Sequence, residues 1–212
     1  GARKGPAPGR RLMAPIVVDP DRIVEFKNAA ALERWYSKHH ASAAEMWIKI
    51  HKKDSGLPTV TNAECLDAAL CWGWIDSTRK SFDERSYLQK YAPRTKTSTW
   101  SKINIGHVDR LRKAGRMQPS GEAEVSRAQQ DGRWDKAYGD FKGDDSPADL
   151  LAAIEAEPEA KRMFGTLTSQ NRFALAFRTH KMKTEAGRKR KIVEFVDMLK
   201  RGETIWPNGK TK

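Results

Sequence analysis

The chain has 212 residues, 38% hydrophobic and 32% charged, with a formal net charge of +13. That length fits one large domain, or one domain with a small helical appendage, and is enough to bury a real core. The basic surplus favours anionic partners such as nucleic acid, anionic lipid or acidic protein, and no run of about 18 apolar residues is present to cross a membrane as a helix.

The charge is uneven. Residues 1–12 carry four bases and no acid, residues 79–116 eleven bases against three acids, and residues 178–191 seven bases against one acid. The remainder of the chain is close to neutral or acidic, so the basicity belongs to particular segments. Cys65 and Cys71 are the only cysteines. Their spacing within one helix and its end fits a bridge poorly, which leads us to expect thiols and a reducing compartment. The start has bases but no apolar h-region, so no secretory leader is expected and the expected location is cytoplasmic.

Residues 1–22 are rich in Gly, Pro and Arg and read as a flexible basic arm. A short strand is expected at Ile23–Phe26. Asn28 is a plausible N-cap for a helix carrying Leu32, Trp35, Tyr36 and His39. The β-rich run Glu45–His51 reads as a strand, and Ser55–Pro58 as a turn. Thr61 and Glu64 have the spacing of a capping box, starting a helix that ends near Gly73. Trp74–Arg79 and Ser86–Tyr91 look like a hairpin whose connection, Lys80–Arg85, is longer than a tight turn. Pro93 closes the second strand, and a loop at 94–101 leads into a helix from Lys102 to Ala114 with Gly115 as its stop.

A helix capped by Ser120 follows, then an irregular stretch at 134–143. Ser146, Pro147 and Asp149 read as a helix start, and Pro158 interrupts before a short helix at Ala160–Leu167. Ser169 is expected to cap a helix with Phe173, Ala176, Phe177 and His180. The final helix, Thr184–Arg201, places Ile192, Phe195, Val196 and Leu199 on one stripe and stops at Gly202. The order predicts an α+β fold: a small antiparallel sheet with helices, followed by a helical C-terminal subdomain. The expected division is an arm at 1–22, a core domain at 23–143, a helical module at 144–206 and a tail at 207–212.

Within this chain, Leu70–Asn104 concentrates aromatic and cationic residues. At ALCWGWIDS (69–77), PRTKTSTWSKIN (93–104), DGRW (131–134) and the final helices, the chain resembles the YdeI/OmpD-associated family, also called bacteriocin-protection proteins. The resemblance runs roughly from Ile23 to Gly202 and departs at Ala186-Gly187, where a Thr-Arg pair is expected. It implies a bacterial protein involved in tolerance to bacteriocins or similar stress. It implies no known reaction, cofactor or catalytic residue.

The residues themselves suggest three sites. The first is an anionic small molecule in a groove beside the hairpin, touched by Trp74, Asp76, Arg94, Lys96, Ser98, Trp100, Ser101 and Asn104. Ser98 or Ser101 would cap the following helix and aim its N–H groups at the anion, Arg94 would grip it bidentately, and Trp100 would stack. The bland alternative is a capped helix with Trp100 in the core. The second is nucleic acid on Lys181, Lys183, Arg188, Lys189, Arg190 and Lys191, a salt-sensitive contact to phosphates, against a solvated helix face. The third is an enzyme using Cys71 as nucleophile or Asp76 as base. None of the five histidines (39, 40, 51, 107 and 180) has a spacing that ties it to Cys71. No CxxC, HxxxH or glycine-rich phosphate loop is present, so no metal and no cofactor are expected. Nothing in the sequence speaks to oligomeric state.

Overall fold

A computed structural model describes residues 16–142 and 145–209. Most of the expected basic arm, residues 1–15, and the end of the expected tail, residues 210–212, lie outside the described residues. Among the described residues are β1 (Ile23–Glu25), α1 (Ala29–His39), β2 (Met46–His51), α2 (Asn62–Cys71), β3 (Trp74–Ser81), β4 (Ser86–Pro93), α3 (Lys102–Lys113), α4 (Pro119–Gln130), α5 (Ala148–Glu155), α6 (Pro158–Gly165), α7 (Ser169–His180) and α8 (Glu185–Lys200). The fold is α+β. It divides into two compact units: the chain to Arg94 with Gln118–Gly121, and Thr95–Met117 with the chain from Glu122 onward.

The first unit holds one four-stranded sheet in the order β1-β2-β4-β3. β2, β4 and β3 are antiparallel, as the hairpin reading predicts, but β1 runs parallel to β2. The sheet is therefore mixed rather than antiparallel. The cause is α1: a helix between two neighbouring strands carries the chain back to its starting side, so the second strand runs the same way as the first. The hairpin loop is shorter than expected, because Ser81 still pairs with Tyr87 and the strands diverge only at residue 82. A register shift between Asp76 and Arg79 marks a bulge in β3.

Helix starts in this unit follow local chemistry. Asn28 accepts from Ala31 N at 2.9 Å. Thr61 and Glu64 form both bonds of the capping box, which closes two otherwise open N–H groups. The core gathers Leu32 and Tyr36 of α1, Met46, Ile48 and Ile50 of β2, Cys65 of α2, Trp74 and Tyr91. Trp35, Tyr36 and Trp74 meet edge to face at 5.4–5.8 Å, the arrangement that ring quadrupoles favour. The start of α4 belongs here. A Cβ on Gly121 would stand 2.2 Å from the Cys71 carbonyl oxygen, so only glycine admits this approach. Ser120 is not the cap of α4 but lies in its first turn, and its hydroxyl donates to Trp72 O at 2.9 Å.

In the second unit, Ser101, Thr168 and Thr184 cap α3, α7 and α8 by accepting from the backbone three residues on. The cap of α7 is one residue earlier than the sequence suggested. Pro147 occupies the cap position of α5 without a side-chain bond, because Ser146 donates elsewhere. α6 begins at Pro158, whose missing N–H costs nothing in a first turn. Leu150, Ile154, Ala160, Leu167, Leu175 and the predicted α8 stripe form the core. Gly187 does not delay α8: its N–H closes the Thr184 cap, and a Cβ there would lie 2.8 Å from Thr184 Oγ1.

Candidate functional site

The residues expected to hold an anion fall into two sets, one in each unit. In the first unit Trp74 is 1% exposed and donates its indole N–H to His40 O at 3.2 Å. Its ring is core material. Asp76 reaches solvent from β3, yet loss of hydration beside the packed chain raises its pKa, against the pull of Arg94 and Arg79. Arg94 is 5% exposed, and its N–H extends the hairpin edge by donating to Gly73 O. Arg79 is held by Gln89 Oε1 and Asn62 Oδ1 and lies 4.6 Å over the Tyr87 ring.

In the second unit Lys96 is exposed on the loop. Ser98 does not cap α3: its hydroxyl accepts from Thr95 N at 2.9 Å, and its carbonyl accepts from Arg133 Nη1 at 2.7 Å. Ser101 does cap α3, accepting from Asn104 N at 3.1 Å, and Lys102 N donates to Tyr138 O at 2.8 Å. These helix-start donors, which a bound anion would have used, are taken by the protein itself. Trp100 is 2% exposed and packs on Trp134 at 4.9 Å.

The other two constellations are also accounted for by packing. Cys71 is buried, its backbone carbonyl under the start of α4. Cys65 is buried as well, and burial pushes its thiol up to about 12, far from a thiolate at neutral pH. Among the described residues no three His, Cys, Asp or Glu side chains gather as metal ligands. In the basic cluster, Arg188 makes a two-pronged bond to Asp149 at 2.5 and 2.7 Å, Lys189 pairs with Glu185 and Lys191 with Glu194. Lys181 sits over the Phe177 ring. Lys183 and Arg190 are exposed.

An open concavity lies elsewhere in the second unit. A cleft of about 440 Å³ is bounded by the segment around Phe141, the start of α5, the end of α6 and one face of α7. Its wall is set by backbone contacts. Tyr138 bridges to the start of α3 through Trp100 O and Lys102 N. Gly139 packs so tightly that a Cβ would fall 1.7 Å from Asp145 Oδ2, whose carboxylate also takes Lys102 Nζ at 2.7 Å. Phe141 follows in the left-handed region, with φ 54°, a conformation that costs a non-glycine residue about 1–3 kcal/mol. Ser146 holds it there by donating to Phe141 O at 2.6 Å.

So placed, the Phe141 ring lies 5.8 Å from Tyr138, stacked, and 5.5 Å from Phe173. Phe173 stacks on Phe177 at 5.7 Å and remains 39% exposed beside the cleft. Arg172 lines the same cleft. Its Nε and Nη2 donate to Leu167 O and Gly165 O at 3.3 and 3.1 Å, and its guanidinium lies 5.0 Å over Phe164. Nη1 takes no hydrogen-bond partner among the described residues. Lys142 is held only loosely by Asp140, at 3.7 Å, with most of its side chain in solvent. This arrangement braces a cation against an aromatic face while leaving one edge of its fork available. The sequence reading passed over these residues. Phe173 and Phe177, one turn apart, look like a core stripe, and Phe141 lies in a stretch without periodicity.

Comparison with known families divides the chain in a way that bears on this cleft. Residues 24–124 match a domain of unknown function (DUF8412), and residues 145–202 match the family described as bacteriocin-protection, YdeI or OmpD-associated. No curated protein and no solved structure matches. The runs ALCWGWIDS and PRTKTSTWSKIN, which contributed to the sequence resemblance, lie within the first match, so the family match is narrower than the span from Ile23 to Gly202. The helices α5, α6 and α7 that supply most of the cleft lie within the second. The similarity to the YdeI/OmpD-associated, bacteriocin-protection family is thus a match of the C-terminal module, residues 145–202.

Proposed function

We propose that this protein acts as a binding protein for a small anionic ligand, held in the cleft of its C-terminal module. The observation that carries the reading is Arg172: a guanidinium pinned by two carbonyls and a ring, with an open edge on a cleft of about 440 Å³. A side chain already ordered loses little freedom when it binds, so more of the contact energy appears as affinity. The cleft volume falls in the usual range for small-ligand sites. The matched family's description, bacteriocin-protection, suggests the setting for that binding.

A thermal-shift series tests this reading. Small anions should raise the apparent melting temperature in proportion to the logarithm of their concentration, and uncharged analogues should not. Arg172→Gln should remove the response. An unchanged response in that variant would contradict the reading.

A second reading, phosphate-backbone binding, draws on the net charge of +13 and the exposed Lys183 and Arg190. Filter binding to single-stranded and duplex DNA at two salt concentrations tests it. Retention at low salt that collapses at high salt would favour it, and no retention at low salt would end it.

A further inference from the structure

We propose that the ligand of the C-terminal cleft is a monocarboxylate carrying a flat, unsaturated ring. This deepens the reading that the cleft binds an anion and rests on it. Three of the side chains around the cleft are phenylalanines, Phe141, Phe164 and Phe173. Aromatic rings favour a flat partner, offset or edge-on, at centroid separations of about 4.5–7 Å. Their own spacings already lie in that range, with Phe141 and Phe173 5.5 Å apart at 59°. An added ring would continue an existing cluster rather than build a new one.

The wall is also fixed in place before any ligand arrives. Phe141 is held in the left-handed region by the Ser146 bond, and the close approach of Gly139 to Asp145 anchors the chain before it. A strained aromatic residue at the rim of a cleft, held by specific bonds, is the kind of outlier that accompanies a binding role. Phe173, at 39% exposure, offers part of its ring to solvent.

Charge selects the other end of the ligand. Among the described residues, Lys142 and Arg172 line the cleft with a single carboxylate, Asp140. The lining thus has one positive charge in excess, which matches a monoanion. A phosphate monoester carries about −1.5 to −2 at neutral pH and would meet Asp140 with its surplus. The open guanidinium edge of Arg172 suits a carboxylate, which it can bind through N–H groups in one plane.

The test uses the full chain, isotopically labelled, titrated by NMR with benzoate, 2-naphthoate, benzamide, cyclohexanecarboxylate and phenyl phosphate. We expect 2-naphthoate and benzoate to shift the amides of Phe141, Phe164, Arg172 and Phe173, and to bind about tenfold more tightly than the other three probes. Arg172→Gln should weaken benzoate about tenfold or more, as expected for a lost charge-assisted bond, and Phe173→Ala should weaken it several-fold, both measured on the folded fraction. Equal affinity for cyclohexanecarboxylate would overturn the ring and leave the anion reading standing. Tighter binding of phenyl phosphate would overturn the monocarboxylate in the same way. Benzamide binding as well as benzoate, or no shift at the cleft from any probe, would overturn both.

Discussion

The stretch from Trp74 to Arg94 in the first unit and the stretch from Tyr138 to Phe177 in the second both set aromatic rings beside cations. They differ in what the solvent can reach. Trp74 and Tyr91 are buried among α1, α2 and β2, and Arg79 is held by Gln89 and Asn62. Phe173 is 39% exposed beside a cleft that Arg172 also lines, although Arg172 is held much as Arg79 is, by two hydrogen bonds and a ring. The same residue types therefore build a core in one place and a cleft in the other. What separates them is whether the rings are buried in a core or face a cleft.

The largest effect should come from Trp74→Ala. Removing a fully buried indole from a closed core is expected to cost about 3–5 kcal/mol, read by chemical denaturation. Benzoate affinity measured on the folded fraction should not change. A mild stability loss with a strong loss of affinity would reverse the comparison.

Gly139→Ala should be next. The added methyl displaces Asp145 from its place beside Gly139 and Lys102, and overpacking of this kind costs about 1–3 kcal/mol. Because the same segment carries Phe141, anion affinity should fall as well. Loss of affinity without loss of stability would show that the segment moves independently.

A smaller effect is expected from the bond between Asp149 of α5 and Arg188 of α8. The hydrogen bonds from the Arg188 guanidinium, helped by its charge and opposed by partial burial, hold the Asp149 pKa below the usual carboxylate range. A carboxylate with a depressed folded pKa stabilises the fold above its unfolded pKa, about 3.9, and loses that contribution as pH falls through the folded value. Both side chains are substantially exposed, so the contribution is about 1 kcal/mol or less. Asp149→Asn should lower the melting temperature at pH 7, and the difference from the parent should shrink below about pH 4. A difference that persists undiminished in acid would assign the effect to packing.

Phe173→Ala should cost far less stability than Trp74→Ala, since part of its ring is already in water. Its effect on ligand affinity should be several-fold. This inverts the result at Trp74 and sharpens the contrast between the two regions.

Much of the fold is written locally. The Asn28 cap, the Thr61–Glu64 box and the α8 stripe depend on residues three or four apart, and all of them form as read. The direction of β1 is not local. Its pairing with β2 depends on where α1 returns the chain, and alternation of side chains reports a face rather than a direction. The caps of α5 and α7 were displaced because neighbouring hydroxyls compete: Thr168 stands beside Ser169, and Ser146 bonds to Phe141 O instead.

The cleft was hidden for a related reason. Spacing brings Phe173 and Phe177 to one side of a helix, but whether that side is covered is decided by other segments, among them the one around Phe141. The left-handed Phe141 has no sequence signal, since glycine and asparagine are the usual residues there. The hairpin, by contrast, advertised itself through composition while its Trp74 and Tyr91 were turned into the core.

The most direct test of the account is a labelled-chain NMR titration with benzoate, comparing the parent with Arg172→Gln. The account predicts shifts concentrated at Phe141, Phe164, Arg172 and Phe173, reduced about tenfold in affinity by the substitution. Shifts centred on residues 94–104, or equal affinity in the two proteins, would contradict it.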